Sequence, residues 1–217
     1  MLEEKTYTIE ELSDIIGTSG KEATNRKLKG YKIDYKSEGR GNKLVYTITN
    51  ITDRFKVFCV FDLGFSPQTD FRKLRDFLFY LLGNDDFNWR PMEMMEEYLL
   101  IRGKGISRQT ISKYIERLKS LDLFAEISDY VYYRVYKYFG VQKHEIVTKE
   151  EYSKAWRLYW DKRAHGYDSR AAYSCMYTAF GGVPRRHAIL AKSAFCLDQY
   201  NLLTELIAES YLLENGG

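Results

Sequence analysis

The sequence predicts a mainly α fold with small β-hairpins (α+β), and three observations carry that reading. Apolar residues recur at helical spacing over most of the chain, Thr/Ser-x-x-Glu boxes or single caps stand before the helical runs, and a few short stretches alternate with period two around turn residues. Composition agrees. The 217 residues are 45% hydrophobic and 29% charged with only three prolines, which describes a folded chain rather than a disordered one. Four segments are expected: 1–50, 51–67, 68–140 and 141–217.

The first segment reads helix, helix, hairpin. Thr8 followed by Glu11 is a capping box, Ile9, Leu12 and Ile16 share a helical face, and Gly17 ends the run. Ser19 with Glu22 opens a second, basic helix through about Lys29. KIDYKS and KLVYTIT then alternate around Glu38-Gly39-Arg40-Gly41-Asn42, a hairpin with a positively charged tip. In the connecting segment FKVFCVF predicts a short buried strand or core segment, and Gly64-Phe65-Ser66-Pro67 is a breaker.

The segment 68–140 predicts three helices and a second hairpin. Asp70 caps a helix with Phe71, Leu74, Leu78 and Leu81 on one face, and Pro91 suits the first turn of the next, which carries Met94, Met95, Tyr98 and Leu99. In GKGISRQTISKYIERLKSLDLF, Ser107 is the N-cap and Ile106 can staple onto Ile111, with Ile115, Leu118 and Leu121 continuing the inward stripe. LFAEISDYVYYRVYKYFG supplies two β-rich pieces around Ser128-Asp129.

The last segment reads as wholly helical. Thr148 and Glu151 form a further capping box ahead of a helix whose broad aromatic face includes Trp156 and Tyr159, a second helix is expected from Ser169 to Phe180, and Gly181-Gly182-Val183-Pro184 breaks the chain before a final helical stretch. Arg185 and Arg186 then fall at a helix start, where cations oppose the macrodipole. With Trp156 and Tyr159 they are candidates for contact with a second copy of the chain or another protein. Solvated surface is the plainer account of the two arginines.

The formal charge of +3 is weak, so its distribution matters. Lys21, Arg26, Lys27, Lys29, Lys32, Lys36, Arg40 and Lys43 face only Glu22, Asp34 and Glu38, and Arg102, Lys104, Arg108, Lys113, Arg117 and Lys119 face only Glu116. Asp85, Asp86, Glu93, Glu96 and Glu97 make an acidic stretch between them. The three cysteines are widely spaced without CxxC pairing, which argues against a disulfide framework and a zinc site and suits a reducing cytoplasm. His144, His165 and His187 are too scattered for a metal or catalytic motif, so neither enzymatic activity nor a cofactor is expected. Neither an export signal nor a membrane span is expected.

Three helices and a hairpin in this order, with SRQTISKYIERLKSLDL across the turn and third helix, resemble the winged helix-turn-helix domains of bacterial and phage regulators. The first segment resembles a smaller version, giving a tandem arrangement ahead of a helical C-terminal region. The resemblance implies a sequence-specific double-stranded DNA-binding protein, a transcriptional regulator of a bacterium, phage or mobile element. It places the third helix in the major groove, with Arg108, Gln109, Ser112 and Lys113 reading bases. Ser107, Arg117 and Lys119 complete that set, and Lys21, Asn25, Arg26, Lys27, Lys29, Arg40 and Lys43 are the corresponding DNA-binding candidates of the first module. The second wing departs from the pattern, being aromatic, with Arg134 and Lys137 as its only cations. Two alternatives stay open: a phage inhibitor of host nucleic-acid machinery, such as an anti-CRISPR protein, acting through the aromatic C-terminal region, and a plasmid-type replication initiator.

Overall fold

The structure, a computed structural model, describes residues 1–88, 90–193 and 196–214. It is a mixed α/β fold, 55% helical and 22% strand, with two small antiparallel sheets. By internal contacts the chain divides into two compact units. The first holds Met1–Gly83, Tyr114–Leu123 and the last helix, the second Asn84–Lys113 and Phe124–Ser193.

The first unit begins with β1 (Thr6–Thr8), α1 (Ile9–Ile16), α2 (Lys21–Gly30), β2 (Ile33–Glu38) and β3 (Val45–Ile51), with a 3-10 turn at Gly41–Lys43 between the last two. The strands order as β1-β3-β2, with Tyr7 opposite Tyr46 and Tyr35 opposite Ile48. Thr8 and Glu11 form the expected capping box on α1, and Gly17 ends it at φ 61°. The cap of α2 is Gly20 at φ 80°, without a side-chain hydrogen bond; the expected Ser19/Glu22 box is not formed, because only glycine turns the chain this way without strain. Leu12, Ile16, Leu28, Ile33, Tyr46, Ile48, Ile51 and Val57 close one core. Leu12 and Leu28 are fully buried, worth about 1.5–3 kcal/mol each.

Val57 belongs to α3 (Arg54–Phe61), so the segment expected as a short buried strand or core segment is core in helical form. Asp53 caps it through the Lys56 amide. Its hydrophobic residues do not alternate, and Phe55, Val57, Phe58 and Cys59 are all buried. Helix α4 (Phe71–Gly83) and the last helix, α10 (Leu197–Glu214), complete this unit with the C-terminal turns of α7 (Arg108–Ser120). Tyr200, Leu203, Leu206 and Ile207 of α10 are buried inside it. Arg75 of α4 is almost wholly buried and donates to the Ser210 carbonyl, the Ser210 hydroxyl and Glu214, while its guanidinium lies 3.9 Å from the centre of the Tyr211 ring.

The second unit contains α5 (Asp85–Asn88), α6 (Met92–Ile101), the first turns of α7, β4 (Phe124–Tyr138), β5 (Val141–Ile146), α8 (Lys149–Ala164), α9 (Ser169–Phe180) and β6 (Val183–Lys192). Its sheet is β5-β4-β6. Here the expected wholly helical C-terminal region is corrected, since β5 and β6 are both strands. Residues 183–192 carry helix-compatible Ala and Leu, but β4 is 15 residues long and β5 pairs only its end from Tyr133. The opposite edge of β4 carries backbone groups that need partners, and β6 supplies them from Phe124 to Val135. Tertiary pairing outweighs local propensity. Pro184 is tolerated because β6 is an edge strand.

The turn expected at Ser128-Asp129 is a β-bulge inside β4, where the register with β6 shifts between Glu126 and Tyr130. Asp129 accepts the Tyr130 amide at 2.8 Å, so a turn-forming residue is spent on a kink rather than a reversal. The hairpin turn lies farther on, at Phe139-Gly140. Helices α8 and α9 pack through Ala155, Tyr159, Ala172 and Met176, with Thr148/Glu151 capping α8 as expected. Among the described residues, no helix is long and apolar enough to cross a membrane.

Candidate nucleic-acid interface

Two helix-hairpin regions carry the candidate residues. On α2, Thr24 and Leu28 point into the core, so the opposite face carries Glu22, Arg26 and Lys29 one turn apart. Lys21, Arg26, Lys29, Lys36, Arg40 and Lys43 are all exposed. Among the described residues none of these cations is in an ion pair. Gly39 makes the Arg40-Lys43 loop possible, because at φ 87° an added Cβ would stand 2.2 Å from the Lys43 carbonyl oxygen.

Two candidates in this region hold the fold together. Lys27 is half-buried, and its ammonium donates to the Ile16 carbonyl, approaches the Gly17 carbonyl at 3.5 Å and lies over the Phe61 ring at 5.3 Å. It closes the C-terminus of α1 and so sets the turn between α1 and α2. Asn25 accepts the Tyr46 hydroxyl at 2.9 Å, which fastens α2 to β3.

The α7 region is organised differently. Ser107 caps the helix, its hydroxyl 3.0 Å from that of Thr110 and its carbonyl accepting the Ile111 amide. Ile106 and Ile111 are both buried, as the staple requires, and Tyr114 joins Ile111 and Leu118 on the inward stripe. Arg108 is paired with Glu93 at 3.1 Å, and its backbone amide donates to Glu96 at 3.0 Å. Carboxylates suit a helix N-terminus, but they bring negative charge to the end where phosphates would approach. Gln109 and Lys113 are exposed, and Ser112 and Lys119 are half-buried.

Arg117 is drawn inward. Its Nε donates to the Leu63 carbonyl at 2.7 Å, and a Cβ at Gly64 would come within 2.1 Å of its Nη2. The signal in the sequence was Gly64 itself, a position where no side chain leaves room for the guanidinium.

The candidates of the C-terminal region separate as well. Tyr159 is buried, its hydroxyl 2.9 Å from that of Ser169. Trp156 is half-buried among Tyr152, Tyr159 and Tyr173. Arg185 and Arg186 are exposed, but on strand β6 rather than at a helix start, so the macrodipole argument does not apply to them. Arg186 lies over the Tyr130 ring at 4.7 Å. Sequence reasoning missed the exposed aromatics Trp160, Tyr173 and Tyr177 and the β4–β5 tip, where Phe139 is 90% exposed. The described residues bring no His, Cys, Asp and Glu together in a group that could hold a metal. Compared with protein-family models, curated proteins and solved structures, the chain matches none.

Proposed function

We propose that the protein binds double-stranded DNA sequence-specifically and regulates transcription, with the β1-α1-α2-β2-β3 module as its principal grip. The observation that carries this is the set of exposed cations on α2 and the β2–β3 loop that have no ion pair among the described residues: Lys21, Arg26, Lys29, Arg40 and Lys43. A duplex is a dense line of phosphates, and each phosphate neutralised releases counterions. Two helices joined by a tight turn, then a hairpin whose last strand pairs with the strand before the first helix, support a winged helix-turn-helix reading of this module. In that arrangement α2 enters the major groove, Arg26 and Lys29 face the duplex, and Arg40 and Lys43 hold phosphates. Helix α7 is the second reading element, with Gln109 and Lys113 exposed for base contact.

Selection from a random duplex library followed by binding over a salt series tests the proposal. The expected result is an enriched motif and an affinity that falls steeply with salt. No motif and no salt-sensitive binding would overturn it.

A second reading, a protein-binding inhibitor of nucleic-acid machinery, is favoured by the α8–α9 surface, where Trp160 is 62%, Tyr173 39% and Tyr177 37% exposed. Trp and Tyr anchors of this kind dominate protein interfaces. Loss of a biological effect on Trp160→Ala with duplex binding intact would select it.

A further inference from the structure

The β4–β5 hairpin ends in a two-residue loop, because Tyr138 pairs with Val141 and leaves only Phe139 and Gly140 between the strands. Both have positive φ, 47° and 79°, the arrangement of a type I′ turn. Asn-Gly fills such a turn readily, whereas a phenylalanine there is strained through its Cβ. Phe139 is also 90% exposed, with Tyr138 59% and Val141 57% exposed beside it. A bulky ring is thus held in strained backbone and in water, where it contributes nothing to the core.

The next cross-strand pair behind this tip is Lys137 and Gln142, both exposed. The nearest acid along either strand of the hairpin is Glu145, already paired with Arg134 at 2.6 Å. Lys143 is engaged by Glu97 at 2.9 Å. The hairpin is braced almost to its tip, since the Lys137 amide donates to the Tyr177 hydroxyl at 3.0 Å and Arg134 also donates to the Phe180 carbonyl at 2.9 Å. The outcome is a braced hairpin whose exposed end is an apolar point with a cation and an amide on its shoulders.

We infer that this tip is a wedge for the minor groove of duplex DNA, Phe139 entering between base pairs while Lys137 meets phosphate and Gln142 the base edges. The inference rests on the duplex-binding reading above. Minor-groove architectural proteins combine these elements, apolar side chains that unstack a step and Lys, Arg, Asn or Gln beside them, and they bend the duplex. A two-residue tip suits a groove about 6 Å wide. An apolar protein pocket could hold the same rings, but Lys137, exposed and in no ion pair among the described residues, complements a polyanion better. The departure of this wing from a basic one is then a change of chemistry, from phosphate grip to base-step insertion.

The test uses the full chain and a selected duplex of about 30 base pairs, labelled at both ends for energy transfer and carrying 2-aminopurine at candidate steps. The parent should bend the duplex by about 20–90° and brighten one 2-aminopurine position. Phe139→Asn is the decisive variant, because it builds the favoured Asn-Gly turn and so should fold at least as well. It should abolish the brightening, straighten the duplex and weaken binding about tenfold. Lys137→Ala should lower the salt dependence while leaving most of the bend. A straight duplex with the parent, or an unchanged bend with Phe139→Asn, would overturn the wedge and leave duplex binding standing. If the parent bound no duplex, both readings would fall, and retention of a captured protein by the parent but not by Phe139→Asn would assign the tip to a protein pocket instead.

Discussion

Helices α2 and α7 hold corresponding places in the chain, each after a shorter helix and a glycine-containing turn and each before an antiparallel pair of strands, but they manage charge in opposite ways. Among the described residues, the cations of α2 and its loop stand in solvent without ion-pair partners, apart from Lys27, which closes the preceding helix. Around α7, Arg108 is paired with Glu93, its amide is taken by Glu96, and Arg117 is turned onto the Leu63 carbonyl. The basic run at α7 looked the stronger in sequence because its acids lie on the preceding helix. What a cation offers a phosphate depends on what already faces it, and that is a property of the fold.

The sharpest way to break this comparison is to remove charge from each region in turn. Arg26→Ala, Arg40→Ala and Lys43→Ala together should reduce duplex affinity about a hundredfold or more near physiological salt and lower the salt slope by about three. Lys113→Ala should change the slope by about one or less. Equal losses from the two regions, measured by fluorescence anisotropy over a salt series, would erase the distinction.

Arg117→Ala should act on folding and not on binding. The Leu63 carbonyl loses its donor, which costs about 1–3 kcal/mol, and urea unfolding should show it while the folded fraction binds duplex as the parent does. A changed salt slope with unchanged stability would return Arg117 to the DNA-binding set.

A smaller effect tests the masking of Arg108. Glu93→Gln with Glu96→Gln frees the guanidinium and removes negative charge from the start of α7. The released pair is exposed and worth about 0–1 kcal/mol, so stability should barely move while duplex affinity rises a few-fold. No gain in affinity would mean that α7 does not approach the duplex.

Much of the fold was legible where local chemistry decides it. The Thr8/Glu11 and Thr148/Glu151 boxes and the β2–β3 hairpin all form, and Ile106 and Ile111 are both buried, since each depends on residues close in the chain. What escaped the sequence depends on distant partners. Residues 183–192 become strand only because β4 has an edge to fill, and Asp129 serves a bulge only because β6 lies beside it. The site divides along the same line: exposure of Arg26 or Arg40 follows from local pattern, whereas the inward turn of Lys27 and Arg117 requires carbonyls that folding brings to them.

The inward faces of the two helices also differ, and pH can read that difference with the smallest effect of the set. Helix α2 buries Thr24 and Leu28, which do not titrate, while α7 buries Tyr114 against Phe65 and Phe77 at ring distances of 6.0 and 5.6 Å. Burial, with the charge of Asp70 adding to it, pushes the Tyr114 hydroxyl up from 10.0 to about 12. Between those values the folded chain holds a proton that the unfolded chain has released, so the stability tied to this group is complete below about pH 10 and is lost as pH rises toward 12. Tyr114→Phe keeps the ring and removes the titration. Below about pH 9.5 it should cost at most about 0.5–1.5 kcal/mol, since among the described residues the hydroxyl makes one long hydrogen bond, to the Asp70 carbonyl at 3.5 Å. From there upward its urea midpoint should fall less steeply than that of the parent, and the two curves should converge or cross. Tyr31, Tyr46, Tyr133 and Tyr211 are also raised by burial, but they titrate in both proteins and cancel in the difference. Parallel curves up to about pH 11.5 would show that Tyr114 reaches solvent, and with it that the inward face of α7 is no better sealed than the outward face of α2.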